Sequence, residues 1–310
     1  MIDPIAPILR DHGVVVLDGA LATELERRGA VLDDALWSAK VLLEAPELIE
    51  QVHYDYLVAG ADLLTTSTYQ ATFEGLARRG IDEAEAADIF RRSVALAVSA
   101  RDRFWARAEN RRGRPRPLVA ASIGPYGAFL ADGSEYTGDY GVDRQALMRF
   151  HRPRLLLLAD SEADLLALET IPSLEEAEAL LAVVAEVGDQ PAWIGFSCRD
   201  GSHVCHGEPF ERCVARAAEA EQIVAVGLNC TPPRFVQELV ERGAQTTGKP
   251  FVVYPNSGET WDAGRRRWLP AEGSESLTFE SWIAAGARLV GGCCRTSPET
   301  IADLARRVGR

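Results

Sequence analysis

Three cysteines stand where chemistry could be done. The stretch Ala287-Arg-Leu-Val-Gly-Gly-Cys-Cys-Arg-Thr-Ser-Pro-Glu-Thr-Ile301 reads as a short buried strand, two glycines, two adjacent cysteines and a helix start. Thr296-Ser-Pro-Glu299 has the form of a capping box, with proline in the first turn where its missing N–H is harmless. Side chains alternate along a strand, so Cys293 and Cys294 would diverge if the strand continued. Gly291 and Gly292 are expected to free the backbone to turn and aim both sulfurs at one place. Cys230 arrives in the same way, ending the apolar run Ile223-Val-Ala-Val-Gly-Leu-Asn-Cys230 before a helix that starts at Thr231-Pro-Pro-Arg234. Three thiolates at the exit ends of two parallel strands form a metal site with one position open, and zinc is the expected ion. A free cysteine is often a small buried hydrophobe, but a vicinal pair after Gly-Gly with a third thiol on another strand argues against that reading. A rival ligand set, Cys198, His203, Cys205 and His206, is packed more tightly in sequence than the usual ligand spacings.

These residues need a scaffold that brings strand ends together. Apolar runs are predicted as strands at 14–18, 61–67, 118–123, 163–170, 192–197, 223–230, 250–254 and in the stretch leading to Cys293. Helical patterns follow at 20–28, 46–59, 81–108, 143–159, after the cap Ser173-Leu-Glu-Glu176, and at 209–220, 233–243, 277–285 and the C-terminal end. The strands are continuously apolar rather than alternating, as expected when both faces of a parallel sheet are buried. Eight alternations predict a (β/α)8 TIM barrel filling residues 1–310 as a single domain, with a doubly wound open sheet as the alternative.

Active sites of such barrels lie at the C-terminal strand ends. Acids end strands one and four, at Asp18 and Glu169, and thiols end strands six and eight. A buried carboxylate needs a cationic partner. No basic side chain adjoins either acid in sequence, so a ligand amine would serve; the competing reading is that each acid bonds a neighbouring loop or helix end. The basic loop Arg111-Arg-Gly-Arg-Pro-Arg-Pro117 reads as a solvated connector. The loop after Tyr254, with Trp261 and Trp268, is long enough to contribute a lid; no role is read for its 258–276 stretch, nor for His203, Cys205 and His206, beyond the rival set.

The chain of 310 residues carries 33 Lys plus Arg against 46 Asp plus Glu, a net charge of −13. That balance argues against a nucleic-acid or anionic-membrane partner. The N-terminal sequence lacks a basic, then apolar, export signal, and no apolar run reaches the roughly 18 residues of a membrane span. The expectation is a cytoplasmic protein whose six cysteines are free thiols.

The residues resemble the zinc-dependent homocysteine S-methyltransferase family. The likeness is carried by Leu17-Asp-Gly-Ala-Leu-Ala-Thr-Glu-Leu25, Leu36-Trp-Ser-Ala39, the stretch 65–71, Ser122-Ile-Gly-Pro-Tyr-Gly127, Glu169-Thr170, Gly227-Leu-Asn-Cys230, Tyr254-Pro-Asn-Ser257 and Gly291-Gly-Cys-Cys294, in order across the chain. It is nearest to the stand-alone type that takes a methyl from S-methylmethionine, or less well from S-adenosylmethionine. At 310 residues, the further domains of cobalamin-dependent relatives are not expected. Betaine-dependent relatives usually carry Asp-Gly-Gly where this chain has Asp18-Gly19-Ala20, and an aromatic residue where it has Thr170.

The resemblance implies zinc on Cys230, Cys293 and Cys294, homocysteine sulfur in the fourth position, and Asp18 and Glu169 on the homocysteine ammonium. The first helix would offer backbone N–H groups of Gly19 and Ala20 to the carboxylate. A cationic donor calls for aromatic faces, with Trp37, Tyr69, Tyr126 and Tyr254 as candidates and Tyr136 and Tyr140 behind them; Asn229 is a further candidate for substrate binding. The small-molecule partners would be homocysteine and a sulfonium donor; oligomeric state is not legible. A barrel lyase would want a Schiff-base lysine, but Lys40 and Lys249 sit at no strand exit. A zinc or thiol redox sensor would explain the vicinal cysteines and leave Asp18 and Glu169 idle.

Overall fold

Apolar runs near the predicted positions become eight parallel strands: β1 (Val15–Val16), β2 (Leu63–Thr65), β3 (Leu118–Ile123), β4 (Leu165–Ile171), β5 (Ala192–Phe196), β6 (Ile223–Asn229), β7 (Phe251–Tyr254) and β8 (Ala287–Val290). The computed structural model describes residues 2–30, 38–262, 267–269 and 276–310. β2 to β7 pair in sequence order, β8 lies between β7 and β1, and the parallel bridge of Leu17 with Leu63 joins β1 to β2. The sheet thereby returns to itself as a (β/α)8 barrel.

Both faces of the strands are apolar, and alternation assigns them. Val15, Leu17, Leu63, Ala120, Leu165, Ala167, Trp193, Ala225, Val252 and Leu289 fill the barrel interior. Their neighbours Val16, Leu64, Val119, Leu166, Ile194, Val226 and Val253 pack outward in the larger cluster with the helices. Alanines at three inward positions leave room for the fully buried indole of Trp193. A short helix that the sequence reading did not anticipate, Ala6–His12, brings Ile5 and Ile8 into the same interior cluster.

The end of the barrel away from the site is tied by charge. Asp62 accepts from the Val16 amide at 3.0 Å and from Arg310 Nε at 3.0 Å, while Arg310 Nη2 donates to the Val14 carbonyl at 2.7 Å. The basic loop is not simply solvated: Arg114 donates to the carbonyls of Leu57 and Ala61 at 2.7 and 2.5 Å, closing the end of helix Pro46–Ala59. A helix end leaves carbonyls without intrahelical donors, and a guanidinium can supply two.

Two capping expectations are corrected. The last helix, Pro298–Arg307, is capped by Ser297 with Thr300, not by Thr296 with Glu299. Thr296 instead donates to the Cys293 carbonyl at 2.7 Å and accepts from Ala20 N at 3.3 Å. Ser173 caps helix Leu174–Val184, but the Glu176 side chain leaves the box to hold another loop. The stretch after β7 contains an antiparallel hairpin, Thr260–Asp262 with Arg267–Leu269, which pairs Trp261 with Trp268. No described helix is long and apolar enough to cross a membrane.

Candidate metal centre and substrate bowl

β6 ends at Asn229, and Cys230 then takes a left-handed conformation, φ 48. This is rare for a residue with a Cβ and persists only where surroundings impose it. Here the Cys230 amide donates to the Tyr254 carbonyl at 3.2 Å, which holds the turn against β7. On the other side, β8 runs into Gly291 and Gly292, and the left-handed residue is Arg295, φ 66, not a glycine. The two glycines serve close approach rather than turning. A Cβ on Gly291 would lie 2.6 Å from Leu17 Cβ, and one on Gly292 would lie 2.3 Å from Thr296 Oγ1. Cys293 N donates to the Pro255 carbonyl at 2.7 Å, fixing the start of the turn.

The three thiols converge. Cys230 Sγ lies 3.8 Å from Cys294 Sγ, Cys293 Sγ lies 3.9 Å from Cys294 Sγ, and all three fall within 4.8 Å of one another. A tetrahedral ion with metal–sulfur bonds of about 2.3 Å needs its sulfurs about 3.8 Å apart, so the set fits one face of a tetrahedron. It is the one such group among the described residues. The rival set does not assemble: Cys198 is buried, His203 faces Asp200 at 3.1 Å, and His206 faces Glu208 at 3.1 Å. Among themselves the three thiols share protons. Hydrogen bonds from Cys293 and then Cys294 pull the Cys230 thiol well below its ordinary range, while those same contacts with Cys230 push Cys293 and Cys294 up.

The cysteines form one wall of a bowl at the strand exits, whose lining also includes Asp18, Gly19, Ala20, Tyr69, Glu135, Tyr136, Glu169 and Tyr254. Asp18 accepts from the Thr65 amide at 2.8 Å and the Thr65 hydroxyl at 3.0 Å. Glu169 accepts from the Ser122 hydroxyl, and its other neighbour, the Tyr254 hydroxyl, accepts from Trp193 Nε1 at 3.0 Å. Burial nonetheless wins at both acids, pushing Asp18 up to about 8 and Glu169 to about 7. The two acids thus bond hydroxyls of the adjoining strands β2 and β3 rather than a loop or helix end, and neither is paired with a cation among the described residues. Tyr136 Oη stands 3.5 Å from Cys230 Sγ.

Other candidates sit elsewhere. Asn229 does not face the bowl: it accepts from the Thr170 amide at 2.7 Å and donates to Thr170 Oγ1 at 2.8 Å. That clamp explains why Thr170 can hold φ 63 at an irregularity in β4. Tyr126 packs away from the bowl in an aromatic group with Phe129, Tyr140 and Phe150, and its amide donates to Glu176. Glu176 also bonds His151 Nε2 at 2.8 Å and the Tyr140 hydroxyl at 2.9 Å, so this buried set anchors the loop that carries Glu135 and Tyr136. Ala20 lines the bowl, but its amide is engaged by Thr296. Trp37 lies outside the described residues. Thr65, Ser122 and Glu135 had no role in the sequence reading; a polar residue at each strand exit was the signal for the first two, and nothing singled out Glu135 on its loop.

The family model for homocysteine S-methyltransferases matches residues 15–308. Homocysteine S-methyltransferase YbgG of Bacillus subtilis is 51% identical over 305 residues, covering 98% of this chain and 97% of the relative. Homocysteine S-methyltransferase 1 of Arabidopsis thaliana is 48% identical over 307 residues, 96% of this chain and 94% of that one. The metallated crystal structure of the homocysteine methyltransferase MmuM from Escherichia coli superposes with a TM-score of 0.88 at 45% identity, covering 98% of this chain and all (100%) of that one. With agreement at this level over nearly the whole of each chain, the protein belongs to the homocysteine S-methyltransferase family and is a homocysteine methyltransferase.

Proposed function

We propose that this protein transfers a methyl group from a sulfonium donor, S-methylmethionine or secondarily S-adenosylmethionine, to the sulfur of L-homocysteine, using zinc held by Cys230, Cys293 and Cys294. The observation that carries the metal is the sulfur triangle with its 3.8 and 3.9 Å edges opening into the bowl. A zinc ion there would hold the substrate sulfur as an electron-rich thiolate near neutral pH, with no general base required.

The chain's own residues do the rest. Asp18 and Glu169 hold the homocysteine ammonium, which supplies the cation that neither acid has and favours the ionised form of both. The substrate carboxylate lies toward Gly19 and the first turn of helix Leu21–Arg27, whose Leu21, Ala22 and Thr23 line the bowl. Tyr69, Tyr136 and Tyr254 line the bowl and are the aromatic rings available to a cationic donor. Of the aromatic set read from sequence, Tyr69 and Tyr254 stay, Tyr136 joins them, Tyr126 and Tyr140 belong to the anchoring group, and Trp37 stays a candidate. The new bond joins the methyl carbon to the homocysteine sulfur. The old carbon–sulfur bond breaks with its electron pair on the donor sulfur, which leaves as a neutral thioether. Charge is neutralised in this step, so a site that excludes water favours it. The cation preference is supported by the lining itself, which among the described residues carries four carboxylates (Asp18, Glu26, Glu135, Glu169) and no Lys, Arg or His side chain.

The test is methionine formation from homocysteine with S-methylmethionine, S-adenosylmethionine and betaine in parallel, comparing wild type with Cys293→Ala and quantifying zinc in each. Turnover with a sulfonium donor, lost together with zinc in the variant, is expected. Turnover with betaine alone would overturn the donor assignment. Zinc-loaded protein inert with every donor would overturn methyl transfer, and full activity in Cys293→Ala would overturn the metal site.

A further inference from the structure

Homocysteine leaves two acids of the bowl unmatched, Glu26 and Glu135; Glu26 lies 3.9 Å from the Arg295 guanidinium, and Glu135 is the one that remains. Glu135 sits on the short turn Ser134–Tyr136, pressed so closely on helix Tyr126–Leu130 that a Cβ on Gly127 would lie 2.3 Å from the Glu135 amide. The next residue puts its hydroxyl 3.5 Å from Cys230 Sγ, so Glu135 is fixed beside the reacting centre. Its carboxylate lines the bowl, and Oε2 is buried with no hydrogen-bond partner among the described residues. It is not one of the metal-binding group, which comprises the three cysteines alone. Burial, together with the nearby Cys230, holds it up at about 7, as expected of an acid that lacks a cation.

An unpartnered buried carboxylate oxygen needs a hydrogen-bond donor, and a buried charge needs an opposite one. Among the described residues no basic side chain lines the bowl. The sulfonium centre of the donor carries positive charge but no N–H. The α-ammonium of an amino-acid donor carries both. We infer that Glu135 receives the α-ammonium group of the methyl donor and thereby selects amino-acid sulfonium donors over donors that lack an N–H, such as betaine or simple dimethylsulfonium acids. This assignment rests on the sulfonium-transfer reading above and names the part of the donor that the loop after β3 recognises. The anchoring set of Glu176, His151 and Tyr140 gives this loop the rigidity that such recognition requires.

The experiment compares zinc-loaded wild type, Glu135→Gln and Glu135→Asp. Each is assayed with S-methylmethionine and with γ-dimethylsulfoniobutyrate, the same molecule without its amine. In Glu135→Gln the KM for S-methylmethionine should rise about tenfold to a hundredfold, the loss expected on removing a charge-assisted hydrogen bond. The KM for homocysteine should stay unchanged, and the kcat/KM ratio of the amine-bearing to the amine-free donor should fall by the same factor. Glu135→Asp should recover part of the loss. Zinc content and Tm show whether the variants are folded. A KM rise shared by homocysteine, an equal loss with both donors, or an unchanged KM for S-methylmethionine would each overturn the inference. Wild type that forms no methionine from S-methylmethionine would instead overturn the reading beneath it.

Discussion

Replacing Asp18 by asparagine should make the ligand-free protein more stable while crippling it as an enzyme. Asp18 is 5% exposed, and its carboxyl is pushed from an ordinary 3.8 up to about 8, first by burial and then opposed by the two Thr65 hydrogen bonds. A group whose folded value lies above its unfolded one stabilises the fold least when both states are ionised. Below pH 4 both states are protonated and nothing is lost. Between 4 and 8 the unfolded chain ionises while folded Asp18 keeps its proton, and stability falls with rising pH. At pH 7 the cost is on the order of 4 kcal/mol relative to a neutral side chain, by the linkage between titration and folding. Asparagine carries no charge and its amide oxygen can still accept from Thr65, so the variant should escape most of this cost. Urea denaturation of apo-protein from pH 5 to 9 measures it: the stability difference between Asp18→Asn and wild type should widen by about 3–4 kcal/mol from pH 5 to pH 8. Taking the difference cancels the titration of the thiols, which both proteins share. In the same variant the homocysteine KM should rise at least about tenfold, because a charge-assisted contact to the ammonium is gone. Parallel pH curves, or a variant less stable than wild type at pH 8, would refute the account of Asp18 as an acid waiting for a ligand cation.

Further outcomes follow from other contacts. Asp62→Ala leaves Arg310, 3% exposed at its side chain, without its buried partner and should cost about 3–5 kcal/mol in denaturant titrations, with the zinc content of the surviving folded protein unchanged. Gly292→Ala drives a methyl against Thr296, whose hydroxyl is committed to Cys293 and Ala20; zinc affinity should fall roughly tenfold to a hundredfold in chelator competition, as for other loss of support behind metal ligands. Asn229→Ala removes the acceptor of the buried Thr170 amide, and should lower stability by about 1–3 kcal/mol and raise the homocysteine KM by displacing neighbouring Glu169. An unchanged KM there would mean that Thr170 keeps its left-handed turn without the clamp.

Local pattern determined a good deal here. Continuous apolar runs of the right length announced parallel strands, their count announced the barrel, and cysteines or acids just past the runs announced which residues share its mouth. These signals are local, because a strand exit is marked by the residue that follows it. What local pattern could not decide was everything that depends on a neighbour distant in sequence. Val15 and Val16 are equally apolar, and only closure of the sheet sends one into the barrel and the other toward the helices. Gly291 and Gly292 look like a hinge, yet it is Leu17 and Thr296 crowding them that excludes a Cβ. Tyr126 and Tyr136 are alike on paper; the buried Glu176 anchor turns the first away and the path of the loop delivers the second to Cys230. Asn229 adjoins a metal ligand in sequence but spends its polar atoms across the barrel on Thr170. Residue type and strand order are local, so thiols and acids could be read to the same end of the barrel before any contact was known. Only the tertiary structure decided which of those groups meet, because burial, close approach and hydrogen bonding are set by whatever the fold brings alongside.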